Sequence, residues 1–152
     1  MGFQFSLEGL LRVRESFEKQ QEQKLAVAIA QLKRVNAIID TVREQMISTT
    51  DRYGKLLARG ASGADLHLLC YEQHLLERRE QALAENASAA LAEVHRQQSR
   101  LQAAQQQRKI LDNLRQKQLA LYLLSEGRRD QQKLDDTFLL RRNNHDSGKG
   151  VA

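Results

Sequence analysis

Apolar positions recur most regularly between Leu25 and Leu56. Leu25, Ala28, Leu32, Val35, Ile39, Val42, Met46, Thr49, Tyr53 and Leu56 follow one another at alternating steps of three and four. A single amphipathic helix on a globular core drifts at period 3.6, whereas an unslipped three-four rhythm of this length is a coiled-coil seam that needs a partner helix. Upstream, Leu10, Val13 and Phe17 extend the stripe and Gln21 interrupts it. The four-and-four spacing from Phe17 to Leu25 predicts a stutter with local unwinding. Ser6 is positioned to cap the helix, with Phe5 and Leu10 as a hydrophobic staple and Glu8 at the positive end of the dipole. With neither glycine nor proline between Gly9 and Gly54, one helix is predicted over about 7–58.

Gly54, Gly60 and Gly63, with Ser62 and Asp65, are the only punctuation in mid-chain, and they predict a bend over about 59–65. Ser62 and Asp65 have the spacing of a capping box, with Asp65 itself as the alternative cap. Beyond them Leu66, Leu69, Gln73, Leu76, Glu80, Leu83, Ala87, Ala90, Val94, Gln97 and Leu101 repeat the three-four rhythm in a more polar form. A second helix is predicted over about 66–142, and residues 143–152, with Ser147, Gly148 and Gly150, read as a disordered tail. The fold class is therefore all-α, one long antiparallel two-helix coiled-coil hairpin filling a single domain, residues 1–152. A bend centred near residue 60 sets position i roughly opposite 120 minus i, so the first helix is used up by about residue 113. Leu119, Leu121, Leu123, Leu124, Leu134, Phe138, Leu139 and Leu140 then overhang without an intramolecular cover, and an uncovered apolar stripe reads as a partner-binding surface.

Composition narrows this further. Aromatic residues are 5%, charged residues 28%, and Trp and Pro are absent, so a thin seam suits the chain better than a thick core. One cysteine excludes an internal disulfide and fits a reducing compartment. No apolar run has membrane-spanning length and no leader pattern stands at the N-terminus, so a cytoplasmic protein is expected. His67, Cys70 and His74 share a helical face, but a closed zinc site needs a fourth ligand and none is supplied, so no metal is expected. The acids lie among Lys and Arg at helical spacing, as on a solvated coiled-coil flank, and Gly148-Lys149-Gly150 lacks the rest of a phosphate loop. No catalytic or cofactor-binding residue is expected. From Val94 to Gln118, Arg96, Arg100, Arg108, Lys109, Arg115 and Lys117 face one acid, Asp112. Without stacking aromatics or a reading motif, that segment reads as a solvated or protein-docking face; a basic coiled-coil nucleic-acid binder is the alternative.

Three segments carry a resemblance. The opening Phe3-Gln4-Phe5-Ser6-Leu7-Glu8-Gly9-Leu10-Leu11-Arg12-Val13-Arg14-Glu15, the middle Leu69-Cys70-Tyr71-Glu72-Gln73-His74-Leu75-Leu76 and the closing Glu126-Gly127-Arg128-Arg129-Asp130-Gln131-Gln132-Lys133-Leu134-Asp135-Asp136 resemble, in order, those of the flagellar export protein FliJ family. His74 stands where that family usually has an aromatic. The resemblance implies a non-catalytic stalk and adaptor of the flagellar type III export apparatus, similar to the central stalk of rotary ATPases. Its implied partners are the hexameric export ATPase, the cytoplasmic domain of the export gate and export chaperones, with no nucleic acid. It also implies a cytoplasmic protein held at the inner membrane face through those partners alone. The ATPase end is then expected to use Leu121, Leu124, Arg128, Asp130, Gln131, Lys133, Leu134, Asp135 and Phe138, and the gate end Tyr53, Tyr71 and His74. The equivalent stalk of a virulence-type secretion system is the alternative within this architecture.

Overall fold

The computed structural model describes residues 2–147. Among the described residues two α-helices make up the fold, α1 over Glu8–Arg59 and α2 over Gly63–Ser147. α2 continues unbroken through Gly127 to Ser147, past the predicted end near residue 142; the rest of the predicted tail, residues 148–152, lies outside the described residues.

The connection between the helices is three residues long and chemically complete. Gly60 adopts a left-handed φ of 76°, while its N–H donates to the carbonyl of Leu57 and that of Ala61 to the carbonyl of Leu56. This paired arrangement is a Schellman motif, and the left-handed residue favours glycine because a side chain would strain the backbone. Two residues later Ser62 caps α2: the Asp65 N–H donates to Ser62 Oγ at 3.3 Å, and Ser62 Oγ donates to the Asp65 carboxylate at 2.8 Å. Orphan carbonyls of one helix and orphan amides of the next are thus satisfied within a few residues.

The chain divides into two compact units, one of Met1–Ser16 with Gln106–Ala152 and the other Phe17–Gln105. In the second unit Ala28, Val35, Ile39, Val42 and Thr49 of α1 and Leu69, Val94, Gln97 and Ala104 of α2 are buried. These are the residues of the predicted three-four rhythm or its direct continuation. Arg43 reaches Glu80 at 2.6 Å and Arg52 reaches Glu72 at 2.8 Å, so the helices run antiparallel. The hydrogen bond that Arg43 Nε donates to Glu80, with the carboxylate's charge, raises the pKa of the guanidinium above its ordinary value. Exposed pairs of this kind fix geometry more than they add stability.

In the first unit Phe5, Leu11 and Leu111 form the core, with Phe3 and Leu114 packed on it. The Phe3 and Tyr122 rings lie 5.7 Å apart at 48°, Glu8 pairs with Arg115 at 3.6 Å, and Arg14 donates to Gln107. Cross-helix pairs in both units place i opposite roughly 123 minus i, a shift of about one helical turn from the predicted register.

At the start of α1 the predicted stripe is replaced by another. Leu10, Val13 and Phe17 are 44%, 62% and 42% exposed, while Leu11 is 1% exposed and Glu18 and Gln21 are buried. Running the heptads of Leu25–Leu56 backwards without a slip lands on Gln21, Glu18, Arg14 and Leu11, so there is no stutter in the burial pattern. The staple gives way for the same reason. Phe5 is buried with Leu11 and Leu111, its carbonyl accepts the Glu8 N–H, and the helix begins at Glu8 with Ser6 in the turn before it.

The seam's polar residues are unequally satisfied. The Thr49 hydroxyl donates to the Gln45 carbonyl at 3.0 Å. Gln97 Nε2 donates to Glu93 at 2.7 Å, and that bond, aided by Arg96 and Arg100, holds the Glu93 carboxyl below its ordinary range. The buried Oε1 atoms of Gln21, Gln73 and Gln97 accept nothing from the described residues, and an unmet buried acceptor costs stability.

Leu11→Ala should lower unfolding free energy by about 3 kcal/mol, and Leu10→Ala by less than about 1 kcal/mol. Urea titration followed by circular dichroism separates them, and equal losses would restore the Leu10 stripe. In the same assay Gln21→Leu should stabilise the chain by about 1 kcal/mol, because it removes an unmet acceptor from the seam.

Candidate partner-binding surfaces

Two surfaces are open to solvent. The first is an open groove of about 400 Å³ near the bend, in the Phe17–Gln105 unit, with Thr50 and Tyr53 on its α1 side and Leu69, Cys70, Gln73 and His74 on its α2 side. Tyr53 is half-buried and lines the groove together with Leu69 and Gln73. His74 is exposed and its Nδ1 lies 4.0 Å from Glu77. Of the three residues predicted for this end, Tyr53 and His74 line the groove, whereas Tyr71 is 58% exposed and lies outside it. Cys70 and Gln73 are additional lining residues. Gln73 was legible as a seam position, and Cys70 only as one of three metal-ligand types on a face. Among the described residues no three His, Cys, Asp or Glu side chains are grouped to hold a metal ion.

The second surface is the part of α2 beyond Tyr122, the residue opposite Phe3. Leu121, Leu124, Leu134 and Phe138 are 60–67% exposed, and Arg128, Asp130, Gln131, Lys133 and Asp135 are exposed as well. At about 100° per residue these do not form one patch. Leu124, Gln131, Leu134 and Phe138 share a face with Gly127; Arg128 and Asp135 flank one edge of it and Leu123 and Asp130 the other. Leu121 and Lys133 point elsewhere.

The orientation of that face differs from the predicted simple continuation of the seam. In this unit α2 turns Leu111, Leu114 and Tyr122 toward the N-terminal segment. Continuing that line reaches Ser125, Arg129, Gln132 and Asp136, all polar, before it meets Leu139. The apolar stripe lies on the opposite side of the helix. Its charged neighbours are held along the helix: Lys133 to Asp130 at 3.7 Å, Arg129 to Glu126 at 3.1 Å, and Gln131 Nε2 donating to Asp135 at 3.3 Å. Gly127 has open space where a Cβ would stand.

The sequence profile of the family described as Flagellar FliJ protein matches residues 3–146. The chain belongs to the FliJ family. FliJ-family membership makes it a component of flagellar export, a type III protein transport process, and a protein that works through contacts with parts of that apparatus. The family is a non-catalytic one. No curated protein and no solved structure matches this FliJ-family chain. Among the described residues no helix is long and apolar enough to cross a membrane.

Cys70 is exposed and unpaired, so its thiol is open to reagents in the folded chain. A disulfide-exchange reagent should titrate one thiol per chain without denaturant, at a rate within about tenfold of free cysteine. Labelling that waits for unfolding would mean that the groove is closed.

Proposed function

We propose that the chain is a stalk and adaptor that couples the flagellar export ATPase to the export gate. Its C-terminal arm docks in the ATPase ring, and the groove near the bend meets the cytoplasmic domain of the gate. Export chaperones are escorted by the same arm, and the protein stays at the cytoplasmic face of the inner membrane through these partners. The observation that carries this reading is the exposed face of Leu124, Leu134 and Phe138, an apolar stripe on a helix that its own hairpin partner does not cover and that an apolar ring lining would. The open groove lined by Tyr53 and His74 supports a second, separate contact in this reading.

The basic segment of α2 supports a protein partner over nucleic acid. Arg96 is paired with Glu93 at 3.1 Å, and Arg108 with Asp112, so part of its charge is answered along the helix, and no aromatic platform accompanies it.

Titrating the chain into the cognate export ATPase should raise hydrolysis or promote ring assembly. Phe138→Asp should reduce that effect at least about tenfold, the expected scale for an anchor residue at an interface. Tyr53→Ala with His74→Ala should leave the ATPase response intact and weaken capture of the gate domain. An ATPase indifferent to the chain at micromolar concentration would overturn the docking.

A further inference from the structure

We infer that the apolar face of the C-terminal arm is also a self-recognition surface, through which two copies of the chain pair antiparallel when no other partner covers it. The face obeys a heptad of its own. Taking Leu124, Gln131 and Phe138 as one seam line and Gly127, Leu134 and Arg141 as the other gives the three-four alternation of a coiled coil. This seam lies on the opposite side of α2 from Leu111 and Tyr122, which face the N-terminal segment. A second chain therefore approaches without displacing anything.

Steric and charge matching select both the occupant and its direction. In a two-fold antiparallel pairing centred between Gln132 and Lys133, Phe138 of each copy lies opposite Gly127 of the other. The largest side chain of the stripe then enters the one place with no side chain, where nothing stands within 4 Å of a Cβ position. Gln131 lies opposite Leu134, and the aliphatic stem of Arg141 covers Leu124. On the flank, Arg128 of each copy meets Asp135 of the other, so one substitution-sensitive pair occurs twice by symmetry. Asp135 already accepts from Gln131, and Arg128 makes no ion pair among the described residues. Parallel pairing sets Phe138 beside Phe138 and brings Asp130 toward Asp135, a like-charge contact. The proposal does not depend on the ATPase reading, since it concerns the chain alone.

The test is sedimentation equilibrium of the full chain in reductant, from low micromolar to several hundred micromolar. The weight-average mass should climb from the monomer value of 17.4 kDa toward twice that. Phe138→Asp, at a site 67% exposed in the single chain, should keep its helicity and stay monomeric. Arg128→Asp should weaken association roughly five- to tenfold, and adding Asp135→Arg should restore it. A chain that remains monomeric throughout, association that Phe138→Asp leaves unchanged, or a charge swap that fails to restore pairing would each overturn the antiparallel interface. No ATPase is present, so none of these outcomes bears on ring docking.

Discussion

The structure depends on a heptad phase that may not slip. Once Leu25 to Leu56 are committed to a seam, every residue before and after them on the same helix inherits a facing direction. A stutter would release that constraint only by unwinding the helix pair. The buried set along α1 keeps the phase from Leu11 to Thr49, even though keeping it places Arg14, Glu18 and Gln21 on the inner line and leaves Val13 and Phe17 outside. Continuity of pairing outweighs the local gain from burying those two apolar side chains. The Schellman turn at Gly60 and the Ser62 cap set the same constraint on α2. With only three residues between the helices, the opposing register has little freedom to shift.

That hierarchy explains which parts were legible in the sequence. The strong heptads and the Ser62–Asp65 cap state their structure locally, whereas of the three mid-chain glycines only Gly60 lies in the turn: Gly54 is inside α1 and Gly63 opens α2, so the connection is shorter than the expected 59–65. The N-terminal stripe was misread because Leu10, Val13 and Phe17 are the apolar residues there, and apolarity is a one-way guide to burial. The phase running back from Leu25 was the better signal. It was present in the same residues but passes through polar side chains. The additional turn of α2 at residues 143–147 is a weaker case, since Asn143, Asn144 and Asp146 have low helix propensity and only extension of an existing helix carries them.

The candidate surfaces were legible in unequal measure for the same reason. Exposure of Leu124, Leu134 and Phe138 followed from a length argument, because a helix of 52 residues cannot cover one of 85. Their direction did not, since it depends on the phase that α2 carries out of the hairpin. The groove at Tyr53 and His74 depends on which seam positions hold residues too small or too polar to fill the space between helices. That follows from the facing register, about one turn from the symmetric guess, and so Cys70 and Gln73 join the surface while Tyr71 falls outside it.

The arm's two sides then have separate physical roles. The line that continues the intramolecular seam becomes polar beyond Tyr122, with Ser125, Arg129, Gln132 and Asp136, so α1 could not have been extended along it with any gain in apolar burial. The opposite line becomes apolar over the same residues. A chain selected only for hairpin stability would gain nothing from that exchange, because exposed leucines and a phenylalanine lower solubility without adding to the core. The reversal of sidedness therefore marks the end of the intramolecular seam and leaves Leu124, Leu134 and Phe138 exposed, as the proposed docking of another molecule requires. Gly127, which costs helix stability at a position where nothing in the chain needs the space, fits that purpose and no internal one.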